Sequence, residues 1–150
     1  MFDHETVLIQ NPLFGEAVAV DCDIALLIQS LWQLGIHTDD SCQNIGSGCI
    51  WIQFSAGHDA MRFLNLVAGI RDLEGPEAAD GLYFRMLNAE GGWDYEVGPW
   101  DTNLVLDPAE QTGGFVGPPD LILPVGVKFP ITDYFRILHL VRANLSRKAG

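Results

Sequence analysis

Ile24, Leu27, Ile28, Leu31 and Trp32 recur at the i, i+3, i+4, i+7, i+8 spacing of a helix with one wide apolar face. Gly35 stands where a left-handed residue ends such a helix, and Asp21 or Asp23 stands where its N-cap belongs. A helix this one-sided has to bury its stripe against a second layer, and the rest of the chain must supply that layer. The best supplier is residues 49–54, Cys-Ile-Trp-Ile-Gln-Phe, whose β-branched and aromatic side chains are bounded by Gly and Ser.

The remaining punctuation fills in the order. Residues 1–15 read as an irregular lead-in with a turn at Asn11-Pro12, and residues 16–20 as a short strand. A strand is expected over residues 36–42, and a flexible turn at Asn44-Ile45-Gly46-Ser47-Gly48. A second helix is expected over residues 57–71, with Ala60, Phe63, Leu64, Val67 and Ala68 inward. Residues 82–88 and 93–97 flank Gly91-Gly92 and read as a hairpin, with Trp93, Tyr95 and Val97 on the buried side and Asp94 and Glu96 in water. Residues 103–106 read as a further short strand. Residues 108–120 read as a long loop, and residues 121–128 as a strand bent by Pro124 and Gly126. A last helix follows Phe129-Pro130, with Ile131, Tyr134, Phe135, Leu138, Val141 and Leu145 as its apolar positions. The expected fold is therefore α+β: a single-domain, two-layer sandwich over residues 1–150, with a mainly antiparallel sheet and about three helices.

Charge narrows the function. The 150 residues carry a formal net charge of −12, and the first cation is Arg62. Sequence-independent nucleic-acid binding and attachment to anionic membranes both rest on Lys and Arg, so both are disfavoured. The basic tail, Arg136, Arg142, Arg147 and Lys148, reads as a complement to a helix dipole. Three cysteines make no disulfide framework, no apolar stretch is long enough for a membrane helix, and the N-terminus lacks a basic leader. A cytoplasmic address with reduced thiols is expected.

The nine residues Gly35-Ile36-His37-Thr38-Asp39-Asp40-Ser41-Cys42-Gln43 hold most of the reactive groups of an otherwise apolar half. A nucleophilic Cys42 needs a nearby cation or imidazole, and Asp39 and Asp40 work against a thiolate. On a regular strand His37 and Cys42 point to opposite faces, so the base would have to come from elsewhere, from His58 or His139. Cys22, Cys42, Cys49, His37 and His58 show no knuckle spacing, so no metal site is expected. Asp94 and Glu96 share a solvated face, and no phosphate loop or dinucleotide fingerprint is present, so no cofactor is expected. Trp100 and Phe115 are the aromatics best placed to face a partner.

Val20-Asp21, Leu31-Trp32, Gly35-Ile36 with Thr38, Ser41-Cys42-Gln43, Trp51-Ile52-Gln53-Phe54, Trp93 to Val97 and Phe129-Pro130 with Asp133 occur in that order. With this spaced signature the chain resembles small uncharacterised bacterial and phage proteins. The resemblance implies one compact α+β domain and brings neither an established activity nor catalytic residues.

The expectation is a non-enzymatic binding domain, acting on a protein partner or on a second copy of itself. Its contact surface would combine Thr38, Ser41 and Gln43 with Trp100 and Phe115. The first alternative is a small-molecule-binding or cysteine-dependent enzyme built on Cys42 and His58. An acidic inhibitor of a basic nucleic-acid enzyme is a more distant one.

Overall fold

The elements run β1 (Thr6–Gln10), β2 (Ala17–Asp21), α1 (Ala25–Gln33), β3 (Thr38–Cys42), β4 (Cys49–Phe54), α2 (Gly57–Ala68), α3 (Ile70–Glu74), α4 (Leu82–Asn88), β5 (Asp94–Val97), β6 (Val105–Leu106), β7 (Leu121–Ile122), β8 (Val125–Pro130) and α5 (Tyr134–Ala149). The structure is a computed structural model that describes residues 4–12, 15–75, 81–98, 105–106 and 121–149. The expected loop over 108–120 lies outside them.

The fold is α+β, as expected, and every strand pairing among the described residues is antiparallel. The main sheet has the order β3-β4-β8-β5, and the pairs β1-β2 and β6-β7 form separate ribbons. The register Ile50↔Phe129 and Ile52↔Val127 puts the buried side chains of β4 and β8 on one face. Ile24, Leu27, Ile28 and Leu31 of the first helical segment meet that face with Phe63 and Val67 of α2 and Ile137 and Val141 of α5, in one continuous apolar core. Phe54, Phe63, Phe129 and Trp93 pack in series through it, with centroid spacings of 5.0, 6.1 and 5.3 Å, and the last pair stacked. The opposite face carries Trp51, Lys128 and Asp94, which are cross-strand neighbours. Trp51 also crowds Gly126: a Cβ there would come within 2.9 Å of the indole nitrogen.

Gly35 ends the first helix as expected, at φ 78°. The carbonyls freed there accept from a cation far along the chain: Arg62 donates to the oxygens of Leu34 and Gly35 at 2.7 and 2.8 Å. Lys148 reaches the Gln33 oxygen at 3.4 Å, so part of the basic tail serves this helix end, and Arg147 and Lys148 also lie in the last turn of α5.

Several expectations are corrected. Residues 6–10 are not irregular. The Asn11 N–H donates to the Glu16 oxygen, and β1 pairs with β2 along its length. Residues 82–88 are helix rather than strand. Leu82 and Met86 are one turn apart and buried while Phe84 between them is exposed, whereas a strand would have put all three on one face. The Gly91-Gly92 turn therefore joins a helix to β5 instead of closing a hairpin. Val97 is exposed, and so are Ile131 and Phe135 of the last helical segment, whose inner positions are Tyr134, Ile137, Leu140 and Val141. Asp21 precedes the first helical turn but makes no capping bond; its carboxylate points to Gln43 instead.

Candidate functional site

Two places gather functional groups. The first is a junction where the β1-β2 ribbon meets the end of β3. Asp21 Oδ2 accepts the Gln43 N–H at 2.8 Å, and Gln43 Oε1 accepts the Asp23 N–H at 2.8 Å. Val20-Asp21 and Ser41-Cys42-Gln43, apart in sequence, are thus halves of one clasp. Asn44 organises the next turn, its side-chain oxygen accepting the Gly46 and Gly48 N–H groups. The Asn44 carbonyl takes the Cys42 thiol at 3.4 Å and His4 Nε2 at 3.0 Å. Donor atoms of His4, Asp21 and Cys42 lie within 4.8 Å of one another, each residue half-buried.

Burial, then the carboxylates of Asp21 and Asp40, push the Cys42 thiol above its ordinary pKa. The expected obstacle to a thiolate is therefore present. The expected histidines are not the neighbours: His58 has a side chain 69% exposed, 3.7 Å from Asp59, and His139 lies on α5 beside Phe135. His4, in a segment read as irregular, takes that place. Strand alternation, the reason for separating His37 from Cys42, is itself interrupted by a register shift between Thr38 and Asp40.

Of the residues expected to face a partner, Thr38 accepts the indole N–H of buried Trp32 at 2.9 Å. Thr38 and Ser41 also line a cavity of about 320 Å³ between the ribbon and β3. Gln43 belongs to the clasp. Trp100 and Phe115 lie outside the described residues.

The second place is a cleft between α2 and α4, floored by β5 and β8. Its volume is about 520 Å³, and Ala60, Met61, Leu64, Ala68, Tyr83, Met86, Leu87, Tyr95 and Val125 line it, with Asn65 among its few polar groups. Met61 and Leu87 are 57% and 61% exposed on its rim. The Tyr95 hydroxyl donates to the Met86 oxygen at 2.6 Å, and burial pushes its pKa up to about 12. A strand over residues 82–88 would leave no such cleft, because α4 is one of its walls.

An uncharacterised protein of Acanthamoeba polyphaga mimivirus, R428, is 31% identical to the chain over 156 aligned positions, which take in 96% of this chain and 73% of the viral protein. The chain belongs to the same family as R428. No family model matches it, and no solved structure does. Among the described residues, no helix is long and apolar enough to cross a membrane.

Proposed function

We propose that the chain is a non-enzymatic binding domain whose receptor surface is the cleft between α2 and α4, and whose partner is a protein presenting an amphipathic helix. The observation that carries this reading is the cleft itself: about 520 Å³ of mostly apolar lining with half-exposed Met and Leu on its rim. A volume of that order suits a bound side-chain cluster. Flexible, polarisable methionines, here Met61 and Met86, are the lining that adapts to helices laid in grooves. A small molecule would be held by the floor alone and would leave the exposed rim without a role. The net charge of −12 favours a partner with basic residues flanking its apolar face. The cytoplasmic address, and the kinship with bacterial and phage proteins that carry the same spaced signature, belong to this proposal.

Selection of helix-forming peptides from a random library against the purified chain tests it. The expected binders carry apolar residues at i, i+3 or i+4, and i+7, and the double substitution Met61→Asp with Leu87→Asp weakens them at least about 100-fold, since losing two anchors of roughly 1.5–3 kcal/mol each exceeds that factor. Binders indifferent to the double variant would refute the cleft. A dimer abolished by the same variant would make a second copy the occupant in place of a foreign helix.

A further inference from the structure

We propose that His4, Asp21 and Cys42 form a binding site for a zinc-class divalent cation, with a fourth coordination position left to water.

The placement follows from the strand register. Thr6 pairs with Asp21, and the Cys22 N–H donates to the Glu5 oxygen, so the chain just before β1 is held beside the end of β2. The Gln43–Asp21 clasp then brings the end of β3 to the same point. One nitrogen, one oxygen and one sulfur donor converge from three segments, all within 4.8 Å of one another. Donors around a tetrahedral zinc stand about 3.3–3.8 Å apart, from metal–ligand bonds of roughly 2.0–2.3 Å, so closure needs a movement of about 1 Å.

Backbone groups orient two of the three ligands. The Asn44 carbonyl can only accept, so His4 Nε2 is the donor in that contact, which orients the ring. Asp21 is oriented by the Gln43 N–H on Oδ2. Thiolate, imidazole and carboxylate together select zinc over calcium or magnesium, which take oxygen. Three protein ligands are the count of zinc sites that keep an open position. A cavity of about 210 Å³, lined by His4, Asp23, Gln43, Asn44 and Tyr134, touches the cluster through His4. On binding, the thiol proton passes to solvent and sulfur bonds the metal, so affinity rises with pH. With no Lys or Arg before Arg62, little positive charge in that half of the sequence opposes a cation.

The test uses the full chain, stripped with chelator and titrated with zinc alone and with cobalt(II) alone. The expected result is one equivalent bound per chain, with a thiolate-to-cobalt charge-transfer band. The band persists in Cys22→Ser and disappears in Cys42→Ser, and His4→Ala weakens zinc at least about 100-fold. Circular dichroism of each stripped variant checks folding, and should Cys42→Ser not fold, His4→Ala, which lies outside the core, carries the test. Absence of stoichiometric binding, a band that survives Cys42→Ser or vanishes in Cys22→Ser, or full affinity in folded His4→Ala would overturn the assignment.

Discussion

Asp133 is the place where a single substitution should cost most. It is 3% exposed, in the helical turn just before α5, and its carboxylate holds three donors. Arg85 of α4 binds it in a two-pronged pair at 2.7 and 3.0 Å, and the Trp93 indole N–H joins at 3.0 Å. Replacement by alanine leaves a guanidinium and a buried indole N–H facing the gap. Removing one partner of a buried ion pair costs about 3–5 kcal/mol, and a stranded indole donor about 1–3 kcal/mol. The two overlap, and the Arg85 side chain, 22% exposed, recovers some hydration, so Asp133→Ala should lose about 3–5 kcal/mol in all. At roughly 2–4 °C per kcal/mol for a chain of this size, Tm should fall by roughly 6–20 °C. Urea unfolding and calorimetry measure both. Asp133→Asn should lose less, since its carbonyl can still accept from Trp93. A double-mutant cycle of Asp133→Leu with Arg85→Met isolates the pair. A loss below about 1 kcal/mol for Asp133→Ala, or additivity within about 0.5 kcal/mol in the cycle, would refute the view that this carboxylate ties α4 and β5 to the last helix.

Two further outcomes follow from particular contacts. Thr38→Val keeps the shape of the side chain but strands the Trp32 indole N–H, and should cost about 1–3 kcal/mol in urea unfolding; a neutral effect would mean that this hydrogen bond is dispensable. The Tyr95 hydroxyl ordinarily ionises near 10, and burial raises it to about 12 in the folded chain. The folded state thus holds the proton more tightly, its advantage is complete below about pH 10, and it is lost as pH rises towards 12. Unfolding free energy measured from pH 9 to 12 should fall more steeply in the native chain than in Tyr95→Phe, and equal slopes would contradict the assignment.

The sequence is legible where side-chain period and chain punctuation agree. The Ile24 to Trp32 stripe with Gly35 behind it, and the β-branched and aromatic run Cys49–Phe54 between Gly and Ser, each admit one structure. Residues 82–88 do not: Leu-Tyr-Phe-Arg-Met-Leu-Asn is rich in aromatics that favour strands, is only two turns long, and runs into a Gly-Gly pair that mimics a hairpin. A period of 2 and one of 3.6 are poorly separated over so short a span. The Thr6–Gln10 strand was hidden for a different reason: its Val, Leu and Ile carry no polar alternation, and Val7 and Leu8 remain exposed. The meeting of His4, Asp21 and Cys42 depends on a strand register and a side-chain clasp, neither of which leaves a local mark. Gln43, taken for a surface group, proved to be half of that clasp.

Strands β3 and β5 end the main sheet on its two sides. The first carries exposed Asp39 and Asp40 and a break in register, and the second carries exposed Asp94 and Glu96. Two copies approaching rim to rim would bring carboxylates against carboxylates, relieved only in part by Lys128 beside Asp94. The acidity that argues against nucleic acid thus also acts as a guard against runaway sheet growth. Because it works through charge, salt that screens the rims weakens it on both sides together and eases lateral association.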